Sequence, residues 1–365
     1  PMERTPFPYS GPLEADEVTG RDAEAAELVR LLGGRVPVAL VAPRRYGKTS
    51  LLRRAVWLLD QVEPTTTVWL DLYGLSSVAD FAVRLDRALS TTVGRFREAL
   101  DRIAGGLSIN VGVVSAELRR SARSAPDPTA TVHALLDSLT RAAEHHPTVL
   151  VIDEVADAIG VGNVLEVLRT HLQPVYRDLG LAFAGSRPTM MTRLFADSDQ
   201  PLYSQARRME LGPLPAASVV EVVHRGFAAT GRGAGPVAAE IARFGAGHPQ
   251  RSMELADAAW WLTDPGTEAD RDTWETTLAT VRARSAPALR EFFGVLSGTQ
   301  QAVLRAVVRT GAPFAASEGR FHDLSNSSIT IARDALVDAG HLIVGAGGTV
   351  VTDPLLADWI ARELP

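Results

Sequence analysis

Short apolar runs rich in β-branched residues alternate with amphipathic stretches along the N-terminal half of the chain. Because most runs are separated by segments with the period of a helix, the pattern predicts a mostly parallel sheet with helices on both faces. The runs are Val36–Val41, Thr66–Leu72, Thr148–Ile152, Leu181–Gly185 and Arg208–Leu211.

One segment between the second and third runs follows a different pattern. Small and apolar residues alternate over Gly105–Leu118, and the proline-rich stretch Ser124–Ala130 comes after it. Alternation of this kind predicts a β-hairpin inserted into the sheet domain, and the prolines predict a loop. The predicted sheet domain covers residues 1–213, with an N-terminal segment at 1–35 and the insert at about 105–118.

The C-terminal part of the chain contains few strand signals. Helical patterns follow one another from Pro215 to about Phe293, which predicts a helical lid domain at 214–293. Two further helices, Thr299–Arg309 and Ser327–Ala339, are separated by a helix or loop and followed by an apolar hairpin that begins at His341. This order predicts a winged helix at 294–365.

Composition narrows the class of protein. The 365 residues carry a net charge of −6, so the chain as a whole has no basic footprint for nucleic acid or an anionic membrane. The absence of cysteine excludes disulfides, thiol catalysis and cysteine-based metal sites. The start of the chain is polar and proline-rich, and no segment approaches about 18 consecutive apolar residues. We therefore expect a soluble, cytoplasmic protein.

The chain contains a single lysine, Lys48, although Lys and Arg together number 37. Lysine is a compact charge on a thin stem, and it is needed where a cation must enter a narrow phosphate-binding loop. The pattern GxxxxGK[ST] builds such a loop between a strand and a helix, and the chain has that context here. The residues concerned are Pro43, Arg44, Arg45, Tyr46, Gly47, Lys48, Thr49 and Ser50. A surface turn before an ordinary amphipathic helix is the alternative.

Ala42 departs from the pattern, because it stands where the first glycine is expected. Alanine tolerates unusual backbone angles less well than glycine does. The substitution leads us to expect a weaker or slower site at this position.

Two carboxylates, Asp153 and Glu154, follow the third apolar run directly. In a phosphate-loop ATPase the first carboxylate holds magnesium, and the second polarises the water that attacks the γ-phosphate. Ser186 and Arg187 end the fourth run and could sense the γ-phosphate. A strand followed by a helix cap, and a turn with an exposed arginine, are the structural alternatives for these two pairs.

These motifs together resemble the archaeal-type ATPases of the AAA+ relatives known as signal-transduction ATPases with numerous domains (STAND). The resemblance covers nearly the whole chain and rests on the order of five motifs. They are GRDAE at Gly20, APRRYGKTSLL at Ala42, VIDE at Val151, GHP at Gly247 and DPLLADW at Asp353.

The resemblance implies a phosphate-loop NTPase fold of the additional-strand AAA+ type and assigns roles to single residues. It implies phosphate contact by Arg45–Ser50, magnesium ligation by Thr49 and Asp153, and catalysis by Glu154. It also implies contact on the adenine side of ATP or ADP by Val18, Thr19, Gly20, Arg21, His248 and Pro249. Without the resemblance, the first of these segments is only a capped helix and the second only a loop.

Three functions remain open from the sequence. The first is a slowly hydrolysing, nucleotide-dependent switch whose winged helix docks on a protein partner, on a second copy or within the chain. The second is a DNA-binding ATPase or ATP-controlled transcriptional regulator, and the third is a nucleotide-binding protein without hydrolysis. The segment from Arg290 onward has six arginines against eight acidic residues, so charge disfavours DNA.

Overall fold

The computed structural model describes residues 4–106, 111–112, 127–313, 324–345 and 348–364. The chain forms two compact units, which we call the sheet unit and the loop unit. The sheet unit comprises Ala23–Val41 and Leu51–Glu210. The loop unit comprises the described residues of Pro1–Asp22, Ala42–Ser50 and Leu211–Pro365. The predicted boundaries near residues 213 and 293 stay predictions.

The sheet unit contains a five-stranded parallel sheet with the order β2-β3-β4-β1-β5. All five predicted runs form strands, so the prediction of a parallel sheet is confirmed. The strands are β1 (Val38–Val41), β2 (Thr66–Asp71), β3 (Thr148–Asp153), β4 (Leu179–Gly185) and β5 (Arg207–Glu210).

The three central strands β1, β3 and β4 are buried at every position. Side chains alternate between the two faces of a strand, so a strand that is buried throughout must be covered on both faces. The covering helices are α1 (Asp22–Gly33), α2 (Lys48–Val62), α3 (Val78–Ser90), α4 (Gly94–Gly106), α5 (Pro128–Ala143), α6 (Val164–Leu172) and α7 (Pro188–Ala196). Helix α1 precedes β1 in the sequence, and the other helices of this part of the chain lie between successive strands. Short 3₁₀ turns occupy Val155–Ala158 and Gln173–Val175.

The predicted start of the hairpin at about 105–118 is wrong. Gly105 and Gly106 are the last residues of α4. This helix has a buried apolar stripe that includes Phe96, Leu100 and Ala104, and burial of that stripe carries the helix through both glycines. Residues 107–110 and 113–118 of the predicted hairpin lie outside the described residues.

The loop unit is mainly helical. Its elements are α8 (Ala216–Ala229), α9 (Val237–Gly245), α10 (Pro249–Trp261), α11 (Arg271–Val295), α12 (Gly298–Thr310), α13 (Asn326–Asp338), β6 (Leu342–Gly345), β7 (Gly348–Val351) and α14 (Pro354–Glu363). Strands β6 and β7 pair antiparallel. Two helices and a hairpin thus lie where the sequence predicts them, and the complete winged helix stays a prediction because residues 314–323 and 346–347 are not described.

The helix starts of this unit follow from capping residues. Asp270 and Thr273 form a reciprocal capping box at α11, and Ser297 and Gln300 form another at α12. Gly311 ends α12 in the left-handed conformation, with φ of 69°.

The N-terminal segment belongs to the loop unit through Phe7. This side chain is 1% exposed, and its ring lies 5.7 Å from that of Phe227 on α8. Gln250 at the start of α10 donates from Nε2 to the carbonyl oxygen of Tyr9. The segment before α1 therefore contributes Phe7 to the hydrophobic core of the helical region.

Candidate functional site

The loop that the sequence predicts to bind phosphate, which we call the phosphate loop, runs from Ala42, directly after β1 in the sequence, to the first turn of α2. Arg45 and Gly47 have positive φ angles of 68° and 82°. Such angles are unfavourable for arginine, by about 1–3 kcal/mol, and easy for glycine. Ala42 is not among the residues with positive φ, so the conformation observed here does not need a glycine at that position. Helix α2 begins at Lys48, which is buried.

Tyr46, at the tip of this loop, is buried against His248 of the loop unit. The two ring centroids lie 5.2 Å apart in an edge-to-face arrangement. Burial raises the pKa of Tyr46 to about 12, an effect that nearby Arg21 opposes and Asp353 reinforces. The phenol therefore stays neutral at physiological pH.

His248 acts as the N-cap of α10. Its Nδ1 accepts a hydrogen bond from the backbone N–H of Arg251 at 3.3 Å, and the side chain is 2% exposed. Burial lowers its pKa to about 4, an effect that the charge of Asp353 opposes and those of Arg251 and Arg45 reinforce. His248 is consequently a neutral hydrogen-bond acceptor at pH 7.

The predicted segment Val18–Arg21 lies in the same unit. Arg21 is 5% exposed and donates from Nη2 to the carbonyl oxygen of Gly212 at 2.6 Å. Its charge acts to lower the pKa of Tyr46, so Arg21 lies near the loop. The contact of Arg21 and His248 with the adenine side of a nucleotide stays a prediction. Gly20 has a φ of 71°, and a β-carbon there would approach that of Ser218 to 3.0 Å.

A contact that the sequence did not point to joins the N-terminal segment to helix α2. The backbone N–H of Leu13 donates to Oγ of Ser50 at 2.9 Å. No local pattern around Leu13 indicates this role, because the contact is made by a backbone group. Ser50, predicted to contact phosphate, is thus engaged by its own chain in this structure.

A buried ion-pair network is the second feature that the sequence did not reveal. Arg251 on α10 donates from Nη2 to Oδ2 of Asp353 at 2.6 Å and from Nε to both carboxylate oxygens at 3.0 and 3.1 Å. It also pairs with Glu254 at 2.6 Å, and Glu254 pairs with Arg284. Arg251 and Asp353 are only 12% and 20% exposed, so loss of one partner should cost on the order of 3 kcal/mol.

The ionisation of this network follows from its contacts. Burial alone raises the pKa of Asp353, but the hydrogen bonds and charge of Arg251 outweigh it and hold that pKa below its usual value. Burial likewise disfavours the charged form of Arg251, and Asp353 and Glu254 reverse the effect. Both groups are therefore ionised at neutral pH.

The C-terminal hairpin approaches the phosphate loop at Gly340. A β-carbon there would lie 3.4 Å from the backbone nitrogen of Arg44, and Gly340 has a φ of 77°. The next residue, His341, has a lowered pKa because it is buried and because Arg44 is near. The carbonyl oxygen of His341 accepts from the N–H of Thr352, the neighbour of Asp353. Asp353 and Arg44 are thus connected through a few residues of the hairpin base.

In the sheet unit, the two predicted carboxylates end strand β3. Asp153 is buried, and its Oδ1 accepts from the N–H of Glu154 at 3.0 Å. Glu154 has a φ of 52°, a strained conformation for glutamate. Its Oε2 accepts two hydrogen bonds from Ser186, one from the backbone N–H and one from Oγ, both at 3.0 Å. Ser186 thus lies beside Glu154, as two residues at neighbouring strand ends should.

Arg187 is paired within the sheet unit. Its guanidinium contacts the carboxylate of Asp157, which also accepts from the N–H of Gly74 at 2.6 Å. The carboxylate of Asp157 joins the turns that follow β2, β3 and β4. The alternative of a turn with an exposed arginine is thereby weakened, since Arg187 is about one-third exposed and ion-paired.

Two features are absent from the described part of the chain. No group of three or more His, Asp or Glu side chains there is arranged to hold a metal ion. No helix in the described ranges is long and apolar enough to cross a membrane.

Comparison with known proteins agrees with this architecture. A family model described as an AAA domain matches residues 32–188, which include the phosphate loop and both carboxylates. None of the curated proteins compared with the chain matches it.

Several solved structures share the fold over almost the whole chain. The Walker-type ATPase PABY2304 of Pyrococcus abyssi is 16% identical, with a TM-score of 0.71 and coverage of 98% of this chain and 99% of that one. The ORC2 protein of Aeropyrum pernix, solved with ADPNP and ADP, is 13% identical, with a TM-score of 0.57 and coverage of 100% and 99%. The ORC1 protein of Aeropyrum pernix in complex with DNA is 12% identical, with a TM-score of 0.52 and 95% coverage of each chain.

These similarities establish an α/β fold of the P-loop NTPase type, and the predicted fold class is confirmed. Together with the matched AAA domain, they support a P-loop ATPase of the AAA+ type. The assignment to the STAND group and the roles of single residues stay predictions.

Proposed function

We propose that this chain binds ATP or ADP through the loop Pro43–Ser50 and works as a slowly hydrolysing, nucleotide-dependent switch. The observation that carries the proposal is which segments of the chain make up the loop unit. The phosphate loop belongs to the same compact unit as the helical region and the C-terminal hairpin. A change of ligand at the loop can therefore act directly on the packing of Tyr46, His248 and Gly340.

The loop residues suit a phosphate ligand. Gly47 and Arg45 have the positive φ angles that let successive N–H groups of a loop point toward an anion. Helix α2 begins at Lys48, so the N–H groups of its first turn lie at the end of the helix that suits an anion. Thr49 and Asp153 are the proposed magnesium ligands, since a hydroxyl and a carboxylate supply the oxygen donors that Mg²⁺ prefers.

Slow hydrolysis is supported by the surroundings of Glu154. We propose this residue as the base that orients the attacking water, with Ser186 and Arg187 as sensors of the γ-phosphate. Two donors of Ser186 already occupy Oε2 of Glu154. The attacking water must compete with these two donors for Oε2, which slows the orientation of that water by Glu154.

The proposed output is contact with a protein partner, with a second copy or within the chain, through the helical region and the proposed winged helix. The alternative is DNA binding, since ORC1 of similar fold was solved with DNA. Charge argues against this alternative. Arg333, the one arginine on α13, pairs with its neighbour Asp334 at 2.7 Å.

The test is ligand-induced stabilisation. ATP or ADP with magnesium should raise the melting temperature of the protein, by an amount equivalent to about 2.7 kcal/mol when ligand is 100-fold above Kd. Lys48→Ala should abolish the shift, because the lysine is the cation proposed to reach the β and γ oxygens. Arg271→Ala removes an exposed cation of α11 and should leave the shift intact. An undiminished shift in Lys48→Ala would exclude the phosphate-loop assignment.

A further inference from the structure

Asp353, the residue before helix α14, is an acidic side chain that is 20% exposed and paired with Arg251. Its carboxylate accepts three hydrogen bonds from Arg251, and Oδ1 also accepts from the backbone N–H of Leu355 to cap α14. A buried carboxylate with this many charge-assisted partners is held in one position.

Two chains of contacts connect Asp353 to the phosphate loop. Arg251, its partner, donates its backbone N–H to His248, and the His248 ring packs on Tyr46 of the loop. Thr352 bonds to His341, whose neighbour Gly340 approaches the backbone of Arg44. The negative charge of Asp353 acts to raise the pKa values of Tyr46, His248 and His341. The charges of Arg44 and Arg45 act to lower the pKa of His341. One carboxylate thus shares its surroundings with the cations of the loop.

We propose that Asp353 is a positioning residue that sets nucleotide affinity, because its carboxylate acts as an internal anion competing with nucleotide phosphates for the positive charge around the loop. This inference rests on the proposed nucleotide-binding function and names its regulation. In the absence of phosphate, Asp353 neutralises part of that charge and holds the start of α14 against Arg251 of α10.

The physical consequence is a reciprocal coupling. A phosphate anion at the loop offers the arginines a second counter-ion, which weakens the hold on Asp353. By linkage, whatever strengthens the hold on Asp353 weakens phosphate binding by the same factor. The C-terminal hairpin and α14 would therefore be bound less firmly when nucleotide is present, which provides a route from ligand to output.

The chain contains a matched control for this pair. Arg282 on α11 donates from Nε to Oδ2 of Asp358 at 2.9 Å, and the two side chains are 30% and 16% exposed. This pair also joins a helix of the helical region to α14, five residues further along. It tests whether any loss of an ion pair at α14 has the same effect.

The experiment measures the affinity for ADP with magnesium by competition with a fluorescent ADP analogue, using the full chain. Asp353→Asn keeps the shape and the capping oxygen but loses the charge, and it should bind ADP about fivefold more tightly or better. The gain should shrink as salt is raised. Asp353→Glu restores the charge and should return the affinity toward that of wild type.

Asp358→Asn should leave the affinity for ADP unchanged, whatever it does to the melting temperature. An Asp353→Asn protein that is folded by thermal melting, yet binds ADP no more tightly than Asp358→Asn, would overturn the inference alone. A wild-type protein that binds no ADP, or a Lys48→Ala protein that binds it normally, would instead overturn the proposed function beneath it.

Discussion

The phosphate loop and the Asp153–Glu154 pair lie in surroundings that are built in different ways. Glu154 is held by Ser186, from the end of the adjacent strand β4, through two short hydrogen bonds within one sheet. Tyr46 of the loop is instead surrounded by residues from distant parts of the sequence, including Arg21, His248 and Asp353. The difference indicates that the proposed chemistry is organised by strand order, whereas the proposed binding site is organised by long-range packing.

The comparison also separates what the sequence could predict from what it could not. The strand runs, the loop motif and the Asp153–Glu154 pair have local signals: periodicity, GKTS and a buried strand that ends in two acids. The neighbourhood of Ser186 and Glu154 follows from these, because parallel strands end at the same edge of a sheet.

The long-range contacts of the loop unit had no local signal in the sequence. Arg251 and Asp353 are 102 positions apart, and nothing in the sequence around either one marks it as the partner of the other. In a chain with many arginines, pairing depends on which side chains the fold buries together. The motif DPLLADW pointed to Asp353, but its role required the contact with Arg251 and the approach of Gly340 to Arg44. The contact of Leu13 with Ser50 could not be predicted either, because it is made by a backbone group.

The largest expected effect concerns the chemical side of the comparison. Glu154→Gln should keep ADP binding but lower ATP hydrolysis by roughly 100-fold, since an amide cannot accept the proton of the attacking water. Steady-state phosphate release and ADP affinity are the two measurements. Glu166→Gln, an exposed change at the start of α6, is the control and should leave both unchanged.

Equal phosphate release by wild type and Glu154→Gln would place the base elsewhere and remove the catalytic half of the contrast. Reduced binding in Glu154→Gln would show that the carboxylate also supports the nucleotide, and the two regions would then be less separate than we propose.

A smaller effect concerns the loop unit and its dependence on pH. The pKa of His248 is about 4 in the folded chain, against an ordinary 6.5, because the ring is buried. The unfolded state therefore binds a proton first as pH falls, and the stability that neutral His248 contributes is complete above 6.5 and lost between 6.5 and about 4. His248→Asn keeps an N-cap acceptor but cannot titrate.

The free energy of unfolding should fall less steeply between pH 7 and pH 5 in His248→Asn than in wild type, by about 2 kcal/mol over that interval. Denaturant titrations at the two pH values measure it. The lowered pKa values of His171 in the sheet unit and His341 in the loop unit act in the same direction, so some pH dependence should survive the substitution. Identical slopes in both proteins would show that His248 is already protonated in the folded chain, or equally accessible in both states.

The smallest expected effect concerns the binding of duplex DNA by this chain. Helices in winged-helix proteins often enter the major groove, and fold analogy alone would assign that role to α13. Recognition requires cations directed at phosphates and bases, but Arg333 of α13 already pairs with Asp334, and exposed Ile331 on the same helix offers no hydrogen bond to a base.

We expect no electrophoretic shift of duplex DNA at micromolar protein in near-physiological salt, with or without ATP. Arg333→Ala should bind as little as wild type. A shift that appears at low protein concentration, weakens steeply with salt and disappears in Arg333→Ala would make α13 a DNA-reading helix and would move the output of the loop unit from a protein surface to nucleic acid.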